Sequence, residues 1–229
     1  MMNWLDRPVW ASLIHTPHLA MGGDLAKRFQ RGVNVFAATC NEDAASLVAL
    51  RELVCEGESV ILTQVPAICV PDGLQIERAA RAVQMLAKRR ITPAVHGCAV
   101  VELGNADAAE MCALARLTEP GPFLDRTHTM GRFVGVRIDG RLAAMAGERM
   151  RFPGFTEVSG VCTHPDFRGR GLAKGLSSVI ASGIQQRGEQ PFLHAWESNR
   201  SAIALYESLG FELRVHAQVA VLKRSDSQA

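Results

Sequence analysis

The pattern of apolar and polar positions divides the chain. From Leu74 to Arg90 the apolar residues Ile76, Ala80, Val83 and Ala87 recur at helical spacing while Arg78, Arg81, Lys88, Arg89 and Arg90 fall mostly elsewhere, which predicts an amphipathic helix with a solvated basic face. Thr92-Pro93 then breaks it, because proline disfavours helix at the residue before it. A boundary near residues 91–95 follows, with an N-terminal α/β domain at 1–95, a second domain at 96–224 and a tail at 225–229. In the second part Cys98 to Leu103 reads as a strand, and Asn105 or Asp107 caps a helix running to about Leu117 with Glu110 in its first turn. Two apolar runs, Gly131 to Arg137 and Arg141 to Met150, flank Ile138-Asp139-Gly140, a strong hairpin signal. A strand from Glu157 to Thr163 ends at His164-Pro165, and a Gly- and Arg-rich turn opens a helix from Leu172 to Gln186. Phe192 to Trp196 reads as a strand, Asn199 to Leu209 as a helix, and Phe211 to Leu222 as a last strand or bent pair of strands. The predicted class is α/β with a mixed sheet.

The first part is less regular, but one segment repeats. Asn41-Glu42-Asp43-Ala44-Ala45 through Gly57 aligns with Asn105-Ala106-Asp107-Ala108-Ala109 through Gly121 at an offset of 64, pairing Ala49 with Ala113, Leu50 with Leu114 and Leu53 with Leu117. Two readings stand: a degenerate half-copy of the second domain, or two Asp-capped, Ala/Leu-rich helices that look alike.

Composition narrows the function classes. Hydrophobic residues make up 48% of the chain, enough for a sizeable core, and 25 Lys plus Arg against 23 Asp plus Glu leave a net charge of +2. That balance gives no electrostatic reason to expect nucleic acid or a membrane surface. The six cysteines, Cys40, Cys55, Cys69, Cys98, Cys112 and Cys162, form no C-x-x-C pair and read as reduced core residues. Met1 to Asp6 lacks a basic start and long apolar run, and no uncharged apolar run of about 18 residues occurs, so a cytoplasmic setting is expected. His15 and His18 have no third ligand nearby, and no metal is expected.

Candidate chemistry concentrates in Val161-Cys162-Thr163-His164-Pro165-Asp166-Phe167-Arg168-Gly169-Arg170-Gly171-Leu172-Ala173. A strand joined to a helix through two glycines presents backbone N–H groups toward one point. The helix dipole and Arg168 and Arg170 add positive potential there, a cradle for pyrophosphate. It is neither a Walker loop, having no Gly-Lys-Ser/Thr, nor a dinucleotide fingerprint, lacking the third glycine.

With these residues the chain resembles the GNAT superfamily of N-acetyltransferases, whose coenzyme A loop reads Q/R-x-x-G-x-G/A, here Arg168-Gly169-Arg170-Gly171-Leu172-Ala173. The Phe192–Trp196 strand, Asn199 and Ala204-Leu205-Tyr206-Glu207-Ser208-Leu209-Gly210-Phe211 follow in the family's order. The likeness spans about residues 96 to 222, is strongest from 157 to 211, and is nearest to the FR47-like branch, which includes the C-terminal part of glycine N-acyltransferases. It implies a mixed, mostly antiparallel central sheet flanked by helices, and transfer of an acetyl group from acetyl-CoA to a primary amine of a small molecule or amino acid. Transfer would be direct, in a ternary complex, with Cys162 a bystander. Two alternatives stay open: a non-catalytic acyl-CoA sensor, and transfer of a longer acyl chain. The implied partners are acyl-CoA and an amine acceptor, with a homodimer left open.

The resemblance also implies roles. Val161, Cys162 and Thr163 would meet the pantetheine arm through their backbone, and the N–H of Val161 or Cys162 would receive the oxyanion. Arg168, Gly169, Arg170, Gly171, Leu172 and Ala173 would hold the phosphates. Asn199 reads either as a coenzyme A contact or as an ordinary N-cap. Tyr206, the single tyrosine, would touch the cofactor and give its proton to the leaving thiolate. Glu157 stands eleven residues before Arg168, where several family members carry a base; partial burial would raise its pKa, while the other reading is a solvent-facing strand end. His164 and His194 are fallback bases. The acceptor would be met by loops such as Pro120 to Met130 and Arg151 to Thr156, and Arg126, Arg132 and Arg151 read either as carboxylate ligands or as surface arginines.

Overall fold

The computed structural model describes residues 3–95 and 97–224; the expected tail lies outside them. In chain order the elements are α1 (Pro8–His15), β1 (Ala20–Gly22), β2 (Ala26–Phe29), β3 (Ala37–Thr39), α2 (Ala44–Leu53), β4 (Ser59–Gln64) and β5 (Leu74–Ala87). They continue with β6 (Val100–Leu103), α3 (Ala108–Thr118), β7 (Phe133–Ile138), β8 (Arg141–Phe152), β9 (Phe155–Thr163), α4 (Leu172–Gln186), β10 (Gln190–Trp196), α5 (Arg200–Leu209) and β11 (Phe211–Arg224). Every element expected after residue 97 is present, and the last segment is one continuous strand.

The segment 74–90 is a correction. It forms β5, not a helix, with Gln75–Ala79 exposed and Ala82–Ala87 buried at six successive positions. An unbroken buried run cannot be the stripe of an amphipathic helix; it marks a strand covered on both faces, and β5 lies between β11 and β10. Ile76, assigned to the apolar face, is half exposed at 52%. Pairing with neighbours on both sides overrides the helical spacing of an Ala- and Arg-rich stretch.

Packing divides the chain into two compact units: Met1–Arg31, Val35–Val83 and Val215–Ala229 in one, Gly32–Asn34 and Gln84–Arg214 in the other. The division falls within β5 and β11, not in the loop after residue 90, because both long strands contribute to each unit. The first unit holds the antiparallel sheet β1–β2–β3 and the strands β4–β11–β5, with β4 and β11 antiparallel. Leu50 and Val54 from α2 and its end pack on Val60 and Leu62 of β4 and Ala220 and Leu222 of β11. The order β3, α2, β4, β5 repeats the order β6, α3, β7, β8, but the pairing does not: β7 and β8 are neighbours, whereas β11 separates β4 from β5.

The second unit contains the order β11–β5–β10–β9–β8–β7–β6, mixed and mostly antiparallel. β6 to β9 pair antiparallel, and β9 pairs with β10 in parallel. The β7–β8 hairpin closes through Asp139 and Gly140, both with left-handed φ. From α3, Met111, Leu114 and Ala115 pack on Phe133, Met145 and Cys162. α4 buries Leu172, Leu176, Ile180 and Ile184, a helical stripe, in this unit.

Candidate active site

All eleven residues expected at the cofactor line one cavity of about 490 Å³, the size of a small-molecule site. Thr118, Glu119, Pro120, Phe167, Lys174, Ser201, Ala202 and Leu205 complete its wall. At its floor, Gly169 and Gly171 have φ of +77° and +73°, the left-handed region that side chains disfavour, and a Cβ on either would meet nothing within 4 Å. The turn therefore faces open space. α4 starts at Leu172 with no side-chain cap, so the N–H groups of its first turn lack the usual internal partner. Thr163 Oγ1 is buried and finds no hydrogen-bond partner among the described residues. Open backbone donors, an orphaned hydroxyl and the positive end of a 15-residue helix fit a ligand with phosphates at one end and amide groups along its length.

Above the turn, β9 and β10 part. Their parallel pairing runs through Gln190–Phe155, Pro191–Thr156 and Phe192–Glu157 and ends there, although β10 continues to Trp196 and β9 to Thr163. On its other side β9 carries a bulge: Met145 faces Cys162 and Gly147 faces Ser159, so an extra residue sits in β9 around Gly160, whose φ is +61°. The bulge turns the Val161–Thr163 backbone relative to the strand before it.

At the parting point lies a row of polar side chains. Glu157 is wholly buried. Arg149 grips it with Nε on Oε2 at 2.7 Å and an Nη on Oε1 at 2.8 Å, and His194 Nδ1 lies 2.7 Å from Oε1. Burial alone would raise the Glu157 carboxyl; the Arg149 guanidinium and the His194 bond outweigh it and hold it at about 2. This corrects the expectation of a raised pKa, and the solvent-facing reading fails as well. Tyr206, 9% exposed, packs edge-on against Phe211 at 5.9 Å and lines the cavity. Burial, aided by the negative charge of Glu157, pushes its phenol up to about 12. Burial likewise lifts the Cys162 thiol to about 11. At neutral pH the Tyr206 phenol is thus protonated and Cys162 is not a thiolate.

A solved structure of a GNAT-family protein from Novosphingobium aromaticivorans is 42% identical in sequence; the match covers 98% of this chain and 100% of that one, with a TM-score of 0.91. The chain belongs to the GNAT family. The FR47-like protein family profile matches residues 133–220. A GCN5-related N-acetyltransferase from Kribbella flavida matches 99% of this chain and 98% of its own with a TM-score of 0.70, but at 17% identity it shows the shared fold alone. No curated protein matches the sequence.

The cradle is built at the turn between β9 and α4. Asn199 caps α5, its Oδ1 accepting from the Ala202 N–H at 3.1 Å, and also lines the cavity. His164 is a turn residue: its Nδ1 accepts from the Asp166 N–H at 3.2 Å and Arg141 reaches its Nε2 at 3.0 Å. Arg132 is paired with Glu102 and Arg151 with Glu189, the surface reading for both. Arg149, Gln84 and Arg214 escaped the sequence reading. Arg149 had no signal, since spacing from the Pro153-Gly154 turn would set Met150 opposite Glu157 and the register shifts between Glu148 and Arg151. Gln84 had none once its segment read as helix. No helix among the described residues is long and apolar enough to cross a membrane.

Proposed function

We propose that this GNAT-family protein moves an acetyl group from acetyl-CoA to a primary amine of a small molecule or amino acid, by direct attack within a ternary complex in the cytoplasm. The observation that carries the reading is the single cavity in which the glycine turn, the parted β9 edge and Tyr206 meet. Acetyl-CoA bound there supplies the electrophilic carbonyl and the departing thiol. Leu172, Ala173 and the Gly169–Gly171 backbone hold the phosphates, with Arg168 and Arg170 adding charge. Val161, Cys162 and Thr163 bind the pantetheine arm through backbone groups, with Thr163 Oγ1 and Asn199 as further contacts, and the Val161 or Cys162 N–H receives the carbonyl oxygen as it gains charge.

Tyr206 hands its phenolic proton to the departing sulfur. Glu157 draws the proton from the attacking amine, directly or through water. A carboxylate held at about 2 is a weak base at neutral pH but a permanent anion, so its main contribution is to stabilise positive charge on the nitrogen. Its two oxygens accept three hydrogen bonds, leaving room for roughly one more. The protonated Cys162 supports transfer without a covalent enzyme intermediate.

The reading is tested by following free thiol released from acetyl-CoA across a broad panel of amines, with longer acyl-CoA donors alongside. Amine-dependent release, fastest with the acetyl donor, is expected. Binding of acetyl-CoA with no release on any amine would instead describe a sensor.

A further inference from the structure

Glu157 is one member of a longer array. Arg149 on β8, Glu157 on β9, His194 on β10, Gln84 on β5 and Arg214 on β11 come from neighbouring strands. Arg214 Nη1 donates to Gln84 Oε1 at 2.8 Å, Gln84 Nε2 lies 3.1 Å from His194 Nε2, and His194 Nδ1 lies 2.7 Å from Glu157 Oε1. Gln84 is wholly buried. The protons in this chain can be assigned by elimination. A guanidinium only donates, so the Gln84 atom facing Arg214 is its oxygen. The amide nitrogen must then face His194, and it too only donates. His194 Nε2 therefore accepts and carries no proton, which leaves the ring proton on Nδ1, opposite a carboxylate that only accepts.

We propose that Gln84 and Arg214 are positioning residues: Arg214 fixes which way the Gln84 amide points, and Gln84 in turn fixes the His194 ring proton on Nδ1, aimed at Glu157. The Glu157 carboxylate, which only accepts, favours the same tautomer from one side of the ring and the Gln84 amide, which only donates, favours it from the other; Phe192 meets the ring edge-on at 5.8 Å and is indifferent to which nitrogen is protonated. With the proton on Nε2 instead, a lone pair would face Glu157 Oε1 at 2.7 Å and the carboxylate would lose one of its three donors. Gln84 and Arg214 thereby act through His194 on the anion at the parting of β9 and β10.

The assignment is read from nitrogen chemical shifts of histidine-labelled protein above neutral pH, with the His194 signal identified by its loss in His194→Gln. Wild type and Arg214→Lys, which keeps a donor, should both show the Nδ1–H form. Arg214→Met removes the donor at Gln84 Oε1 and should let the amide oxygen face Nε2 in part of the population, with a proton on Nε2 there. Gln84→Glu keeps the Arg214 partner but sets a second carboxylate against Nε2, opposite Glu157, and should protonate both ring nitrogens. In kinetics, Arg214→Met should lower kcat about five- to tenfold, the loss of one buried hydrogen bond, with KM for acetyl-CoA unchanged and Arg214→Lys restoring the rate. An Nε2–H ring in the wild type overturns the proposal, as does an unaltered Nδ1–H ring in both Arg214→Met and Gln84→Glu. Only the kinetic arm rests on the acyl-transfer reading: a protein that turns over no amine yet shows the predicted tautomers would refute that reading and leave the positioning role intact.

Discussion

Glu157 and Tyr206 illustrate how little a residue type says without its neighbours. Both are buried, yet burial raises one pKa and is overruled at the other, because Arg149 and His194 stand against the carboxylate and nothing comparable stands against the phenol. The folded Glu157 carboxyl at about 2 lies below its ordinary 4.5, so its ionised form stabilises the fold above that ordinary value and the contribution fades as pH falls from about 4.5 to about 2. Glu157→Gln should therefore cost about 3 kcal/mol at neutral pH and flatten stability against pH in that acid window, measurable by urea unfolding. The same substitution should lower kcat at every pH without moving the acidic limb of the pH–rate profile; a limb that vanished with it would make Glu157 an ionising base. Tyr206→Phe keeps the packing on Phe211 and removes the proton. We expect kcat to fall about a hundredfold with KM for acetyl-CoA nearly unchanged, and an unchanged kcat would remove the phenol from the reaction.

The glycine turn is the element on which the cradle depends. Gly171→Val places a β-branched residue at φ +73° with no neighbour to clash, so its effect is backbone strain alone. KM for acetyl-CoA should rise about tenfold while helix content by circular dichroism stays constant; an unchanged KM would separate the turn from ligand binding. This element was fully legible beforehand, because a turn and a helix start are written locally, in Gly169, Gly171 and the stripe Leu172, Leu176, Ile180 and Ile184. The β7–β8 hairpin was legible for the same reason, through Asp139-Gly140. β5 was not: its six buried positions are explained by strands β10 and β11, more than 100 residues later in the chain, and no local pattern carries that information. The row from Arg149 to Arg214 was hidden likewise, since each member lies on a different strand and only the sheet order sets them side by side.

At the scale of the whole molecule, sequence pattern and packing cut the chain differently. A chain beginning at residue 96 keeps every cofactor-loop residue but loses β5, the strand between β10 and β11, and with it Gln84. Because β4, the other neighbour of β11, is lost as well, one unpaired edge on β10, two on β11 and an exposed apolar surface should make it aggregate when expressed alone; a monomeric, cooperatively unfolding product would show that the second domain is autonomous. The proposal of direct transfer rests on a Cys162 thiol that burial lifts to about 11 and on one cavity lined by the glycine turn, the β9 edge and Tyr206. The most direct test is a matrix of initial rates in which acetyl-CoA and a responsive amine are varied together and thiol release is followed. Direct transfer in a ternary complex predicts intersecting reciprocal plots. Parallel plots, the mark of a covalent enzyme intermediate, or thiol release that does not depend on the amine, would contradict it.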